Sequence, residues 1–193
     1  MTPTSPSMQY QNRKVAGFLL FIAGVAGVLG IIIAEALHPL YNTRQNYISD
    51  LGVGPSAIVF NTSMVLLGLS IIGSSYFIQK AFNIKLATVL LAVTGIGAVG
   101  VGIFTEDAGF LHVIFSLITF LFAGITAILS YKLVKPPLSY LSIAFGGVTL
   151  LSLVLFGTEN YLNLGKGGME RMIAYPALLW ATGFGGHLIG SSD

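Results

Sequence analysis

Six stretches without a single charged side chain divide this sequence: residues 15–34, 51–79, 86–105, 108–131, 136–158 and 172–192. Each holds at least the roughly 20 residues that a helix needs to cross about 30 Å of hydrocarbon. Lipid offers no water to backbone N–H and C=O groups, so such segments must satisfy them internally, as helices. The expected fold is all-α: a polytopic membrane protein built as a bundle of six transmembrane helices. Their expected positions are about 15–37, 56–78, 86–104, 109–132, 137–158 and 169–190. The second run exceeds its helix because it opens with the turn residues Gly52, Gly54 and Pro55.

Composition agrees with that class. Only 8% of the 193 residues are charged, against about 25% in soluble domains. A net charge of +2 provides no basic surface for nucleic acid. The chain has no cysteine, which excludes disulfides and thiolate metal sites. Residues 1–12 read as a disordered tail and 13–193 as one domain. Arg13 and Lys14 ahead of an apolar run resemble the start of a signal peptide. The run is longer than the roughly 7–15 residues of such a core, and no small-residue cleavage site follows before His38, so it reads as a retained first helix.

Lys and Arg set orientation. Arg13, Lys14, Lys80, Lys85, Lys132 and Lys135 fall on one side; Arg44, Lys166 and Arg171 fall on the other. Both termini are therefore expected in the cytoplasm of a multi-pass cell-membrane protein. Of the acids, only Asp193 lies on that cytoplasmic side. Glu35, Asp50, Glu106, Asp107, Glu159 and Glu170 join His38 and His112 at the outer boundary, while His187 lies near the inner end of helix 6. Small residues mark close helix contacts in lipid. Ala26, Gly30 and Ala34 in helix 1, Gly95, Gly97, Gly100 and Gly102 in helix 3, and Thr182, Gly186 and Gly190 in helix 6 predict that these three helices touch. Pro176 is expected to bend helix 6 or end its first turn. No internal repeat of interrupted helices points to a transporter.

The polar residues carry whatever chemistry there is. Asp50 and His112 are the candidate catalytic residues. Asn46, Ser49, Glu106, Asp107, Glu170, Arg171 and Tyr175 are candidates for ligand binding. Glu35, His38, Asp50 and His112 are candidates for a metal, which the sequence leaves unidentified. Each has a structural alternative. Glu35 and His38 share a helix face, yet a Glu-x-x-His site needs a second copy. Asn46, Ser49 and Asp50 also suit a turn. Glu106 and Asp107 suit a helix N-terminus. His112 begins a polar stripe that continues through Ser116 and Thr119, and an ionisable residue inside a membrane helix is a functional candidate by default. Arg171 can grip a carboxylate such as Asp50 or Glu106, or a lipid phosphate.

The blocks RQNYISDLGVGPSAIVFN, VGIFTEDAGFLH and GGMERMIAYPALLW resemble the integral-membrane family called domain of unknown function 998, over about residues 14–190. That resemblance implies a six-helix prokaryotic membrane protein with no established activity. Ile48 to Gly52 and the histidine opening helix 4 are also similar to DRAM/FRAG/SFK-type membrane proteins, which implies lipid remodelling. Membrane hydrolases of the ceramidase and progestin-receptor type use three histidines, an Asp and a Ser around zinc. Here only His38 and His112 face outward, and helix 6 lacks a paired-histidine motif.

Three functions follow as alternatives. The first is an outer polar cluster that binds a lipid headgroup or membrane partner. The second is a hydrolase or transferase in which His112 and Asp50 converge with His38 or Glu106. The third is a proton-linked carrier using Glu35 and His112 on a hydrated path to His187. Membrane lipids are the expected partners, assembly into a homo-oligomer stays open, and the cofactor is unknown.

Overall fold

The computed structural model of the chain describes residues 5–191. Six helices follow one another: α1 (Pro6–Leu37), α2 (Ala57–Phe82), α3 (Lys85–Ile103), α4 (Phe110–Leu129), α5 (Leu138–Gly157) and α6 (Gly165–Gly190). All six are long and apolar enough to cross a membrane, and no strand occurs among the described residues. Short 3-10 turns occupy Ser49–Gly52, Gly54–Ser56, Glu106–Ala108 and Ser130–Leu133.

Helix ends follow local chemistry. Pro6 sits in the first turn of α1, where its missing N–H costs nothing. Residues 6–12, expected as a disordered tail, are therefore helical. There the ring of Tyr10 lies beneath the cations of Arg13 and Lys14, at 5.2 and 4.4 Å. The rest of that tail, residues 1–4, and Asp193 lie outside the described residues. Asn83 closes α2 in the left-handed conformation (φ 53°), and Gly109 (φ 55°) turns the chain into α4. α6 starts at Gly165, before the expected 169, and runs unbroken through Pro176.

Each helix packs on its sequence neighbours, and α6 closes back on α1, so the six form a ring. Helices α4 and α6 also touch across it. Small residues pin the junctions, as expected where lipid removes the hydrophobic drive between helices. A Cβ on Gly17 would lie 2.6 Å from Gly185 O, one on Gly68 2.5 Å from Gly95 O, and one on Gly146 2.5 Å from Gly124 O. The expected trio of α1, α3 and α6 is corrected by this arrangement. α1 does pack on α6, but α3 lies between α2 and α4. Its glycines occupy two faces: Gly95 and Gly102 abut α2, while Gly97 and Gly100 abut Thr119 and Phe115 of α4. Small residues announce close approach without naming the partner.

The bundle carries large apolar groups outward, among them Phe18, Leu29, Val113 and Leu117. Its interior contains buried hydroxyls that bridge helices: Ser74 Oγ donates to Ala16 O at 2.9 Å, and Thr149 Oγ1 to Ile173 O at 3.1 Å. Arg13 donates to Ser191 O, which puts both ends of the described chain at one end of the ring. The loops 38–56, 104–109 and 158–164 gather at the other end.

Candidate functional site

The loop after α1 is folded on itself. Asn42 Oδ1 accepts the backbone N–H of Arg44 and Gln45 at 3.0 and 3.2 Å, a turn typical of asparagine. Asp50 accepts Asn46 Nδ2 and the Tyr47 N–H, both at 2.9 Å. The Tyr41 hydroxyl donates to Tyr47 O at 2.7 Å, and burial pushes its pKa up to about 12.

Helix α6 then receives the loop. A Cβ on Gly167 would lie 1.9 Å from Asn46 O, and one on Gly165 2.2 Å from Arg44 O. Only glycine permits this backbone-on-backbone approach. Arg171 locks the contact. One terminal nitrogen donates to Thr43 O and Gly167 O at 3.1 and 2.8 Å; the other donates to Tyr41 Oη at 2.8 Å and pairs with Glu35. Its carboxylate partner is thus Glu35, not the expected Asp50 or Glu106. The guanidinium fork is committed to holding α1, the loop and α6 together. Tyr175 lies half-buried below it, against the core around Ile31 and Ala34.

Asp50 faces a different partner, Glu106, from the turn before α4. Burial, then the hydrogen bond and charge of Asp50, raise Glu106 to about 7. Burial opposes ionisation of Asp50 as well, but hydrogen bonds from Glu106, Asn46 and Tyr47, with the charge of Lys166, hold it below the usual carboxylate range. The two acids share a proton near neutrality. Lys166 stands 4.0 Å from the centre of the Tyr47 ring. Asp107 is exposed beside them.

Beneath the loop lies a second grouping. Between the helices lies a cavity of about 80 Å³ lined by α1, α2, α3, α4 and α6, with α5 outside it. Its walls are mostly apolar, including Ile31, Phe60, Met64 and Phe120. Its polar lining includes Ser49, His112, Ser116, Thr119 and Glu170. The stripe read from His112, Ser116 and Thr119 therefore faces inward. Glu170 is 9% exposed and accepts the Ile48 N–H at 2.5 Å. His112 is 7% exposed, and its Nδ1 lies 2.8 Å from Phe104 O. A carbonyl can only accept, so Nδ1 carries a proton, and in the neutral ring Nε2 is the acceptor.

Several expected groupings do not form. His38 turns to its neighbour, with Nδ1 3.1 Å from Pro39 O. Glu35 is taken by Arg171, His112 by Phe104 and Asp50 by the loop. Among the described residues, no three His, Asp or Glu side chains gather as metal ligands. No hydrogen bond joins His112 to Asp50. His187 is exposed and lines neither of the two cavities between the helices. Sequence reasoning passed over Tyr41, Gly167 and Trp180. The Gly-Lys-Gly-Gly run was the readable signal for the second, since glycines opening a helix permit close contact as well as flexibility.

A family model described as "Protein of unknown function (DUF998)" matches residues 21–187. No curated protein and no solved structure matches the chain.

Proposed function

For a chain that belongs to the DUF998 family of proteins of unknown function, we propose a role in binding an amphiphile whose head donates hydrogen bonds. The head, an alcohol or an amine, occupies the polar end of the cavity between the helices, and the apolar part follows the bore of the ring. The single observation that carries this reading is that Glu170, Ser49 and the acceptor-bearing His112 line one cavity with otherwise apolar walls. A buried carboxyl oxygen and an imidazole acceptor favour a donor head and disfavour a phosphate, whose oxygens would face acceptors.

Phosphate capture at the rim is the weaker form of the idea. Arg171 already serves four acceptors within the chain. We place the protein in the cell membrane with both termini in the cytoplasm and the loop end outside. The six cations of the opposite end, against Arg44, Lys166 and Arg171 here, support this.

The test is mass spectrometry of small molecules retained through purification in mild detergent. Wild-type protein should retain a long-chain alcohol or amine, and His112→Ala and Glu170→Gln should lose it while remaining folded by thermal melting. Identical retained molecules in all three proteins would refute the reading.

A further inference from the structure

Trp180 stands between two cavities. On its Glu170 side lies the cavity of about 80 Å³; on the other, a cavity of about 250 Å³ opens among Leu86, Leu90, Leu133 and Phe184. Leu91, Thr126 and Trp180 line both. These three residues form the partition. Its largest member is Trp180, 4% exposed, with the indole N–H donating to Ser130 Oγ at 3.0 Å and the ring stacked 5.3 Å from Phe184.

We propose that the two cavities are one channel for the single unbranched tail of the amphiphile, which passes Trp180 with its head held at Glu170 and His112. This inference rests on the head site described above. Three observations favour it. Glu170 and Trp180 are ten residues apart on one helix, about 15 Å, which is the hydrocarbon depth of one leaflet. The lining of the first cavity runs along α6 from Glu170 through Ala174, Ala177 and Leu178 to Trp180, so its apolar wall follows that length. Three hydroxyls along the bore are turned to their own helices: Thr94 donates to Leu90 O at 2.9 Å, Thr119 to Phe115 O at 2.7 Å and Thr126 to Phe122 O at 2.6 Å. The wall between the ends is thereby apolar in effect.

Trp180 is the chain's single tryptophan, so its fluorescence reports this position alone. The protein is reconstituted alone in vesicles of unbrominated phosphatidylcholine and titrated with long-chain alcohols. One alcohol is brominated at mid-chain, the other beside the hydroxyl. Bromine quenches indole on contact. The channel predicts loss of most Trp180 emission with the mid-chain probe, little loss with the head-proximal probe, and loss of the difference in Glu170→Gln. Alcohol that binds without quenching, or with equal quenching by both probes, overturns the channel and leaves the head site standing. Absence of any binding overturns both.

Discussion

Glu170 on α6 and the backbone N–H of Ile48, 122 positions apart in sequence, meet at 2.5 Å in the buried interior. That bond seats the loop after α1 over the mouth of the cavity. It also fixes the carboxylate where an enclosed ligand meets it. Glu170 therefore belongs both to the fold and to the candidate site.

Replacing Glu170 with Ala should destabilise the protein by about 1–3 kcal/mol, the cost of stranding a buried N–H donor. Glu170→Gln keeps an acceptor and should cost clearly less. Thermal melting in detergent compares the two; equal losses would show that the bond to Ile48 contributes little.

Arg171→Lys retains the charge but loses the fork that reaches Thr43, Gly167, Tyr41 and Glu35 at once. The expected result is faster protease cleavage within residues 41–47, with the six helices intact by circular dichroism. Double-mutant coupling with Glu35→Ala should be at least about 1 kcal/mol, because the side chains are only 11% and 21% exposed. Additive effects would mean that the pair is not a lock.

Two glycines give a matched comparison. Gly167→Ala drives a methyl into Asn46 O and should detach the loop, whereas a Cβ on Gly147 meets nothing within 4 Å. Gly147→Ala should be neutral or stabilise α5 by about 0.5–1 kcal/mol. Melting temperatures that move alike in the two variants would contradict the docking geometry.

Acidity should act through Asp50 and Glu106, which face Asp107 and Lys166. The Glu106 pKa is raised to about 7, so its contribution is complete below its ordinary value and fades as pH climbs through about 7. The Asp50 pKa is lowered, so its contribution is present above the ordinary carboxylate value and fades in acid. The bridge between the two loops is thus tightest in mildly acidic solution. Amide hydrogen exchange at Tyr47 and Ala108, corrected for intrinsic pH effects, should quicken from about pH 5.5 to about pH 8. Glu106→Gln should flatten that rise; an unchanged profile would discount the bridge.

Because the chain has no cysteine, single cysteines at positions 44, 166 and 83 can report sidedness. Gly165 packs on the backbone of Arg44, and the Gly167 N–H donates to Arg44 O at 3.3 Å, so the first two positions should label together from outside intact cells. Position 83 should label only after permeabilisation. Positions 44 and 166 labelling from opposite faces would dismantle the site.

The sequence by itself determined the class, the number of spans and the boundary at which polar residues collect. Uncharged length against bilayer thickness is a one-dimensional constraint, and alternation of loops follows from it. His112 with Ser116 and Thr119 was legible for the same reason, since helical spacing puts them on one face. Partners were not legible. Arg171 chooses Glu35 over Asp50, α3 chooses α2 and α4, and Glu170 reaches Ile48 only once α6 has closed on α1. Those choices depend on the order of helices round the ring and on where glycines let backbones meet. In lipid every apolar face is equally content, so shape and hydrogen bonds between distant segments decide the arrangement, and neither is written in local spacing.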